Sequence, residues 1–338
     1  MAYHLLSQLA HIEVTSPKPE ETEAFLTDVL GLQVSHREGQ SVWLRAWAEY
    51  FHHSLKLTEG THPGLAHVAY RVDGPDDLAL AAKALNDQGA EGEWTDGDTG
   101  HGEAYRFRTP GGHLYELFWE VDWHKATPEQ TSVFPNRPQK QVAINAAVRR
   151  LDHVTLQTKD LAGDKRVLTN ALGLRHMEST LNPAGDEIFI TLTSGASNHD
   201  LGVIREPREY KGPGGRYNHF CYFYDTREEV LRAADILSES GYKLEHGPHK
   251  HGMGEPLFMY VFEPGGNRIE LQSGGYWNYI PDWEPIAWRL EQGSNIAWQV
   301  GQFPVPGSPQ PDTAHIQGTL EDLLGPGAGG GELVGSQG

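Results

Sequence analysis

LAHIEVTSPKPEETEAFLTDVLGL (residues 9–32) returns as LDHVTLQTKDLAGDKRVLTNALGL (residues 151–174), displaced by 142 positions. Self-similarity at a fixed offset marks a repeated supersecondary unit. The echoes continue in order: GLAHVAYRV (64–72) is answered by RYNHFCYFY (216–224), and TPGGHLYELF (109–118) by EPGGNRIELQ (263–272). Each half therefore presents histidine, histidine and glutamate at matching places: His11, His67 and Glu116, then His153, His219 and Glu270. The chain is a duplicated scaffold.

Within each half a smaller unit is written twice. The strand at 9–14 is followed by Ser16 and Pro17, which open a helix expected over Glu20–Leu30 and closed by Gly31. Alternating runs such as SVWLRAW (41–47) read as strands. A second module takes a strand at 66–72 and a helix over Pro75–Asp87; a third starts at Leu151 with a helix over 161–171; a fourth starts at Tyr217 with a helix over Arg227–Ser240. The expected fold is α+β: tandem βαβββ modules, two per domain, forming two similar domains with curved mixed sheets. The expected boundaries are 1–132 for the first domain, 133–148 for a proline-bearing linker, 149–290 for the second domain and 291–338 for an extension. Its glycine-rich end buries too little surface to fold. The aromatic run GGYWNYIPDWEPIAWRL (274–290) is expected to pack across the second domain. Trp277, Trp283, Trp288 and Trp298 either line a pocket or, as the commoner role, anchor this segment.

Over 338 residues, 46 acidic against 27 basic side chains give a formal charge of −19. Such a surface repels phosphate backbones and anionic lipid, which speaks against nucleic acid, membrane surfaces and polyanionic substrates. The length suits two domains with cores of their own. Cys221 is the single cysteine, which rules out an intramolecular disulfide framework and suits a reducing compartment. No apolar run approaches the roughly 20 residues of a bilayer span, and the N-terminus lacks a basic region and cleavage site. A cytoplasmic location is expected.

Strand alternation sorts side chains by face. His153, Thr155 and Gln157 fall on one face, with Val154 and Leu156 on the other. His219 is expected beside Tyr217 and Cys221, and Glu270 beside Arg268 and Gln272. The apolar faces go to helices, and the polar concave face receives the ligand types. Two neutral imidazoles and one carboxylate form the facial set that leaves positions open on non-haem iron(II). A single strand histidine is more often a satisfied polar residue; three ligand types at matched places in a repeat reverse that weighting. Cys221 lies two residues from His219, where metal contact or oxidation is conceivable, but a small buried core residue is the commoner role.

With these residues in place, the chain resembles the two-domain type I extradiol ring-cleaving dioxygenases of the vicinal oxygen chelate superfamily, the catechol 2,3-dioxygenase and 2,3-dihydroxybiphenyl 1,2-dioxygenase group. The likeness runs from residue 8 to about 290 and is strongest over 151–273, where FMYVFEPGGNRIEL (258–271) is the most specific motif. The resemblance implies an oxidoreductase of aromatic hydrocarbon catabolism that inserts both atoms of O2 into a catechol-type substrate and cleaves the ring beside its two hydroxyls. It implies iron(II), with manganese(II) as the weaker alternative, held by His153, His219 and Glu270. It places His199 of SNHDLGV (197–203) at the oxygen as an acid–base group, and His251 and Tyr260 of HGMGEPLFMY (251–260) on the substrate oxygens. A homo-oligomer is implied, and the aromatic content suits an alkyl- or aryl-substituted catechol such as 2,3-dihydroxybiphenyl.

The resemblance also implies a first domain that is structural and metal-free. Its PGGHLYEL segment follows a loop four residues shorter, and Tyr105 does not stand where Tyr260 does. His11, His67 and Glu116 then hydrogen-bond one another. Two rival functions stay open. A metal-dependent isomerase or epimerase on this scaffold places a fourth ligand on the last strand of the earlier module, where LGVI (201–204) has none. A metal-free binding protein has no use for the convergent ligands. A yellow ring-fission product from catechol, iron(II) and air separates the three.

Overall fold

The computed structural model describes residues 4–144, 146–206, 210–212 and 214–299. It contains the expected four modules in order. The first is β1 (Leu6–Ser16), α1 (Pro19–Ala24), β2 (Gln33–Glu38), β3 (Ser41–Arg45) and β4 (Leu55–Glu59). The second is β5 (Gly64–Val72), α2 (Asp77–Asp87), β6 (Gly92–Thr95), β7 (Ala104–Arg108) and β8 (Leu114–Phe118). The third is β9 (Arg150–Thr158), α3 (Leu161–Asn170), β10 (Arg175–Leu181), β11 (Glu187–Thr193) and β12 (Leu201–Arg205). The fourth is β13 (Arg216–Phe223), α4 (Arg227–Glu239), β14 (Leu244–Lys250), β15 (Pro256–Phe262) and β16 (Arg268–Gly274), after which β17 (Ile286–Arg289) follows.

Side-chain caps open the two helices of the second half, whereas α1 and α2 start without one. α4 opens with a capping box between Thr226 and Glu229, and the Asp160 side chain accepts from Gly163 N–H at 2.9 Å at the head of α3. The first helix departs from the regular one expected: after α1 it widens into a π turn over Phe25–Val29, with Leu30 N–H donating to Phe25 O at 3.2 Å. Gly31, at φ +72°, then turns the chain.

Each sheet has the same centre. The order is β2-β3-β4-β1-β5-β8-β7-β6 in the first and β14-β15-β16-β13-β9-β12-β11-β10-β17 in the second. β1 and β5 pair antiparallel and are flanked by the parallel partners β4 and β8; β9 and β13 repeat this with β12 and β16. The ligand-type residues therefore sit on three adjacent strands in each half. The halves also lock reciprocally: Thr22 Oγ1 donates to Glu263 Oε2 at 2.5 Å, and Gly111 N–H donates to Asp164 Oδ1 at 2.6 Å. One apolar core runs through both, with Leu30 and Tyr115 joined to Leu156 and Leu271.

The C-terminal aromatic run does pack on the second half, with β17 pairing parallel to β10. Trp283 Nε1 donates to Met177 O at 3.0 Å and Trp288 Nε1 to Glu178 Oε2 at 2.5 Å, whereas Trp277 and Trp298 stay largely exposed. The glycine-rich end lies outside the described residues. Among the described residues no helix is long and apolar enough to cross a membrane.

Candidate metal centre

His153 on β9, His219 on β13 and Glu270 on β16 meet on the polar side of the second sheet. His153 Nε2 and His219 Nε2 are 3.1 Å apart, and Glu270 Oε2 lies 2.8 Å from His219 Nε2 and 3.3 Å from His153 Nε2. All three side chains are buried, and Glu270 Oε1 makes no hydrogen bond. A buried carboxylate oxygen without a donor is costly unless something else satisfies it.

Two bulges aim the imidazoles. The β9–β13 register skips Asp152 on one strand and Asn218 on the other, each directly before a ligand-type histidine. His153 Nδ1–H donates to Asp152 Oδ2 at 3.0 Å, and His219 Nδ1–H donates to Asn218 Oδ1 at 2.7 Å. Both protons are held at the back, so both Nε2 lone pairs face the centre. The supports are themselves held: Gln272 donates to Asp152, Arg150 pairs with Asp152 Oδ1 at 2.6 Å, and Arg268 Nη1 donates to Asn218 Oδ1 at 2.7 Å.

The bulge at Asn218 corrects one expectation. Strict alternation put Tyr217 on the face of His219; the extra residue turns Tyr217 into the apolar core, where its hydroxyl bonds Asn267 Oδ1. Val154 and Leu156 enter the core as expected. Cys221 is fully buried beside His153 and Glu270, and burial first, then the carboxylates of Glu270 and Asp152, push its thiol well above the usual range. It remains a protonated, uncharged neighbour.

Without a cation, the cluster is satisfied by a proton. Burial pulls His153 down, but hydrogen bonding and charge from Asp152 and Glu270 outweigh it and raise this imidazole to about 9. Burial dominates at His219 and lowers it to about 4, although Glu270 pulls the other way. Burial works against Glu270, yet its imidazole neighbours hold its carboxyl well below the carboxylate range.

The other three sequence candidates surround this centre. The His199 ring lies against the His153 ring, centroids 4.2 Å apart and tilted by 48°, and Asn198 donates its amide to His199 Nδ1 at 2.6 Å, leaving the proton on Nε2. Burial first, then the charge of His153, keep His199 well below its usual pKa and neutral. His251 Nε2 stands 3.2 Å from Tyr260 Oη and 3.4 Å from Glu270 Oε1, and its Nδ1–H donates to Asn295 O. Burial, followed by Glu270, raises the Tyr260 phenol well above its usual range.

Sequence reading missed the supporting residues. Phe258 lies flat against His251 at 3.4 Å, and the Arg268 guanidinium covers the Tyr260 ring at 3.6 Å. Glu178 Oε1 accepts from Gly254 N–H and Tyr276 Oη, both at 2.8 Å, pinning the loop that carries His251. Gly254, at φ +66°, has room for no side chain: an added Cβ would lie 2.0 Å from Asn198 Nδ2. In the N-terminal half, His11, His67 and Glu116 also converge, joined by His53 and His101, which the sequence reading had not placed there. His53 was legible: it precedes Leu55 by two residues, as His199 precedes Leu201, and both leucines face the same repeat position on β1 and β9.

Residues 8–117 and 150–271 match the family model of the Glyoxalase/Bleomycin resistance protein/Dioxygenase superfamily. The chain belongs to that superfamily. Within it, the chain is 39% identical over 302 residues to a metapyrocatechase of Geobacillus stearothermophilus, covering 88% of this chain and 91% of that protein. It is 35% identical over 321 residues to a manganese-dependent 2,3-dihydroxybiphenyl 1,2-dioxygenase of Geobacillus genomosp. 3, covering 92% of this chain and 98% of that protein. The structure is similar to that of the 2,3-dioxygenase LapB from Pseudomonas sp. KL28, with a TM-score of 0.77 and 28% identity over 85% of this chain and 99% of LapB. These relatives place the chain among the metal-dependent extradiol ring-cleaving dioxygenases of the superfamily.

Proposed function

We propose that this extradiol dioxygenase uses O2 to cleave a catechol-type ring beside its two hydroxyls, at an iron(II) ion held by His153, His219 and Glu270. The observation that carries this reading is the convergence of two imidazole Nε2 atoms, with their protons held behind them by Asp152 and Asn218, on a buried carboxylate whose Oε1 has no hydrogen-bond donor. Two imidazoles and one carboxylate fit non-haem iron(II) and leave positions for two further ligands. The same donors accept manganese(II), which the name of the Geobacillus genomosp. 3 relative carries.

When bound, the ion supplies Lewis acidity that eases loss of the catechol protons and a centre at which the electron-rich ring and O2 meet. The side chains do the rest. His251 has its proton fixed on Nδ1 by the Asn295 carbonyl, so its Nε2 is an acceptor, engaged by Tyr260 Oη at 3.2 Å, that can take a proton from a substrate hydroxyl once Tyr260 turns to the substrate. Tyr260 stays a phenol and donates a hydrogen bond to a substrate oxygen beside it. His199, neutral with its proton on Nε2, holds and delivers a proton on the oxygen side. The aromatic wall of Phe258 and Tyr260 suits a catechol with an apolar substituent, such as 2,3-dihydroxybiphenyl. A homo-oligomer is part of this reading.

Metal-stripped protein reconstituted with Fe(II), or separately with Mn(II), and then given catechol or 2,3-dihydroxybiphenyl in air tests the proposal. A yellow ring-fission product with Fe(II) is expected. Colour with Mn(II) alone would reassign the metal, and no O2 uptake with either would leave the isomerase or binding reading.

A further inference from the structure

We propose that the N-terminal half holds a second metal ion, a structural zinc(II) bound by His11, His67, His101 and Glu116. His11 Nε2 and His67 Nε2 are 3.0 Å apart; Glu116 Oε1 lies 3.6 Å from the first, 3.7 Å from the second and 3.1 Å from His101 Nε2. A tetrahedron of Zn–N bonds of about 2.0–2.1 Å has edges of about 3.3–3.4 Å, and these four spacings lie on either side of that length, while His11, His101 and Glu116 offer ligand atoms that all lie within 4.8 Å of one another. Glu116 is fully buried, and no imidazole of the set is more than 8% exposed.

Hydrogen bonds behind the imidazoles decide where their lone pairs point. His67 Nδ1–H donates to Glu13 Oε2 at 3.1 Å, and His101 Nδ1–H donates to Gly102 O at 3.0 Å. The Nε2 lone pairs of both therefore face the Glu116 carboxylate, and neither His101 Nε2 nor Glu116 Oε1 makes a hydrogen bond. Lone pairs turned on a buried carboxylate oxygen repel it unless a cation lies between them. Three imidazole nitrogens and one carboxylate oxygen form a donor set suited to zinc.

The shell is closed, which makes the ion structural. Arg106 Nε donates to Glu116 Oε2 at 2.5 Å from the register position that Tyr260 holds opposite Glu270. Phe118 stacks on His101 at 4.5 Å. Four protein ligands, with a guanidinium where the other half has a phenol, leave no open position for a substrate. This departs from the metal-free first domain that the sequence resemblance implied. His101 changes the reading, because the shorter loop brings it onto the cluster that the triad alone leaves incomplete.

The test removes the C-terminal centre with Glu270→Ala and, independently, with His219→Ala, then titrates the metal-stripped full-length chain with Zn(II), and with Co(II) as a spectroscopic probe. One tightly held equivalent in both backgrounds, intense visible Co(II) bands of a tetrahedral site and a rise in Tm on zinc addition are expected. Adding His101→Ala to either background should abolish all three. His101→Ala alone should still cleave catechol when loaded with iron, with one metal equivalent fewer than wild type. No tight zinc in either background, or uptake untouched by His101→Ala, would overturn the proposal and leave a cluster satisfied by a proton. Loss of ring cleavage in the wild-type chain contradicts only the C-terminal assignment.

Discussion

Asp152 accepts the Nδ1 proton of His153 at 3.0 Å from a bulge that the N-terminal half repeats with Ala10 in its place. The same exchange occurs one strand over, where Asn218 supports His219 and Ala66 occupies the matching bulge before His67. At these two bulge positions the duplicated backbone carries polar supports only in the half assigned to catalysis, and in the other half His67 leans instead on Glu13 of the neighbouring strand.

Asp152→Asn keeps the shape of the side chain but removes the charge that orients and polarises His153. Loss of such a support costs about 10–100-fold in metal affinity. Competition of the loaded protein against a chelator should show this fall, with little change in the folded structure by circular dichroism. Unchanged affinity would mean that Asp152 only fills the bulge.

Glu178 ties three segments together. Its buried carboxylate accepts from Gly254 N–H, Tyr276 Oη and Trp288 Nε1, joining the His251 loop to the C-terminal strand. Glu178→Gln turns one accepting oxygen into a donor that faces donors, and a hydrogen bond to a charged group is worth about 1.5–3 kcal/mol. The expected result is a lower Tm and a raised KM, with the metal content intact. A wild-type KM would separate this network from the substrate side of the site.

The repeat made the fold and the triad legible, because strand periodicity and ligand order survive in the text of both halves. The bulges were not legible: one extra residue at Asp152 or Asn218 leaves no mark on hydrophobic alternation, and Tyr217 was placed on the wrong face for that reason. His101 heads the shortened loop as His251 heads the longer one, but loop length alone does not tell that the shorter course lays His101 against Glu116. Glu178 and Gly254 meet only through tertiary packing between modules, which no local pattern encodes.

His199→Phe removes an acid–base group without removing a proposed ligand. Metal content and anaerobic substrate binding should persist, while steps after O2 arrives slow by about a hundred- to ten-thousand-fold. Stopped-flow mixing of the anaerobic enzyme–substrate complex with O2 reads this directly. Unchanged oxygen kinetics would make His199 a packing neighbour of His153, and loss of metal would make its loop structural.

The central claim is that ring cleavage runs at the centre built by His153, His219 and Glu270. Simultaneous recording of O2 uptake and ring-fission absorbance, for wild type and for His219→Ala after identical anaerobic loading with Fe(II), tests it most directly. The account predicts one O2 consumed per catechol cleaved by wild type, and neither uptake nor colour from His219→Ala. Wild-type turnover by His219→Ala, or colour without O2 uptake by wild type, would contradict it.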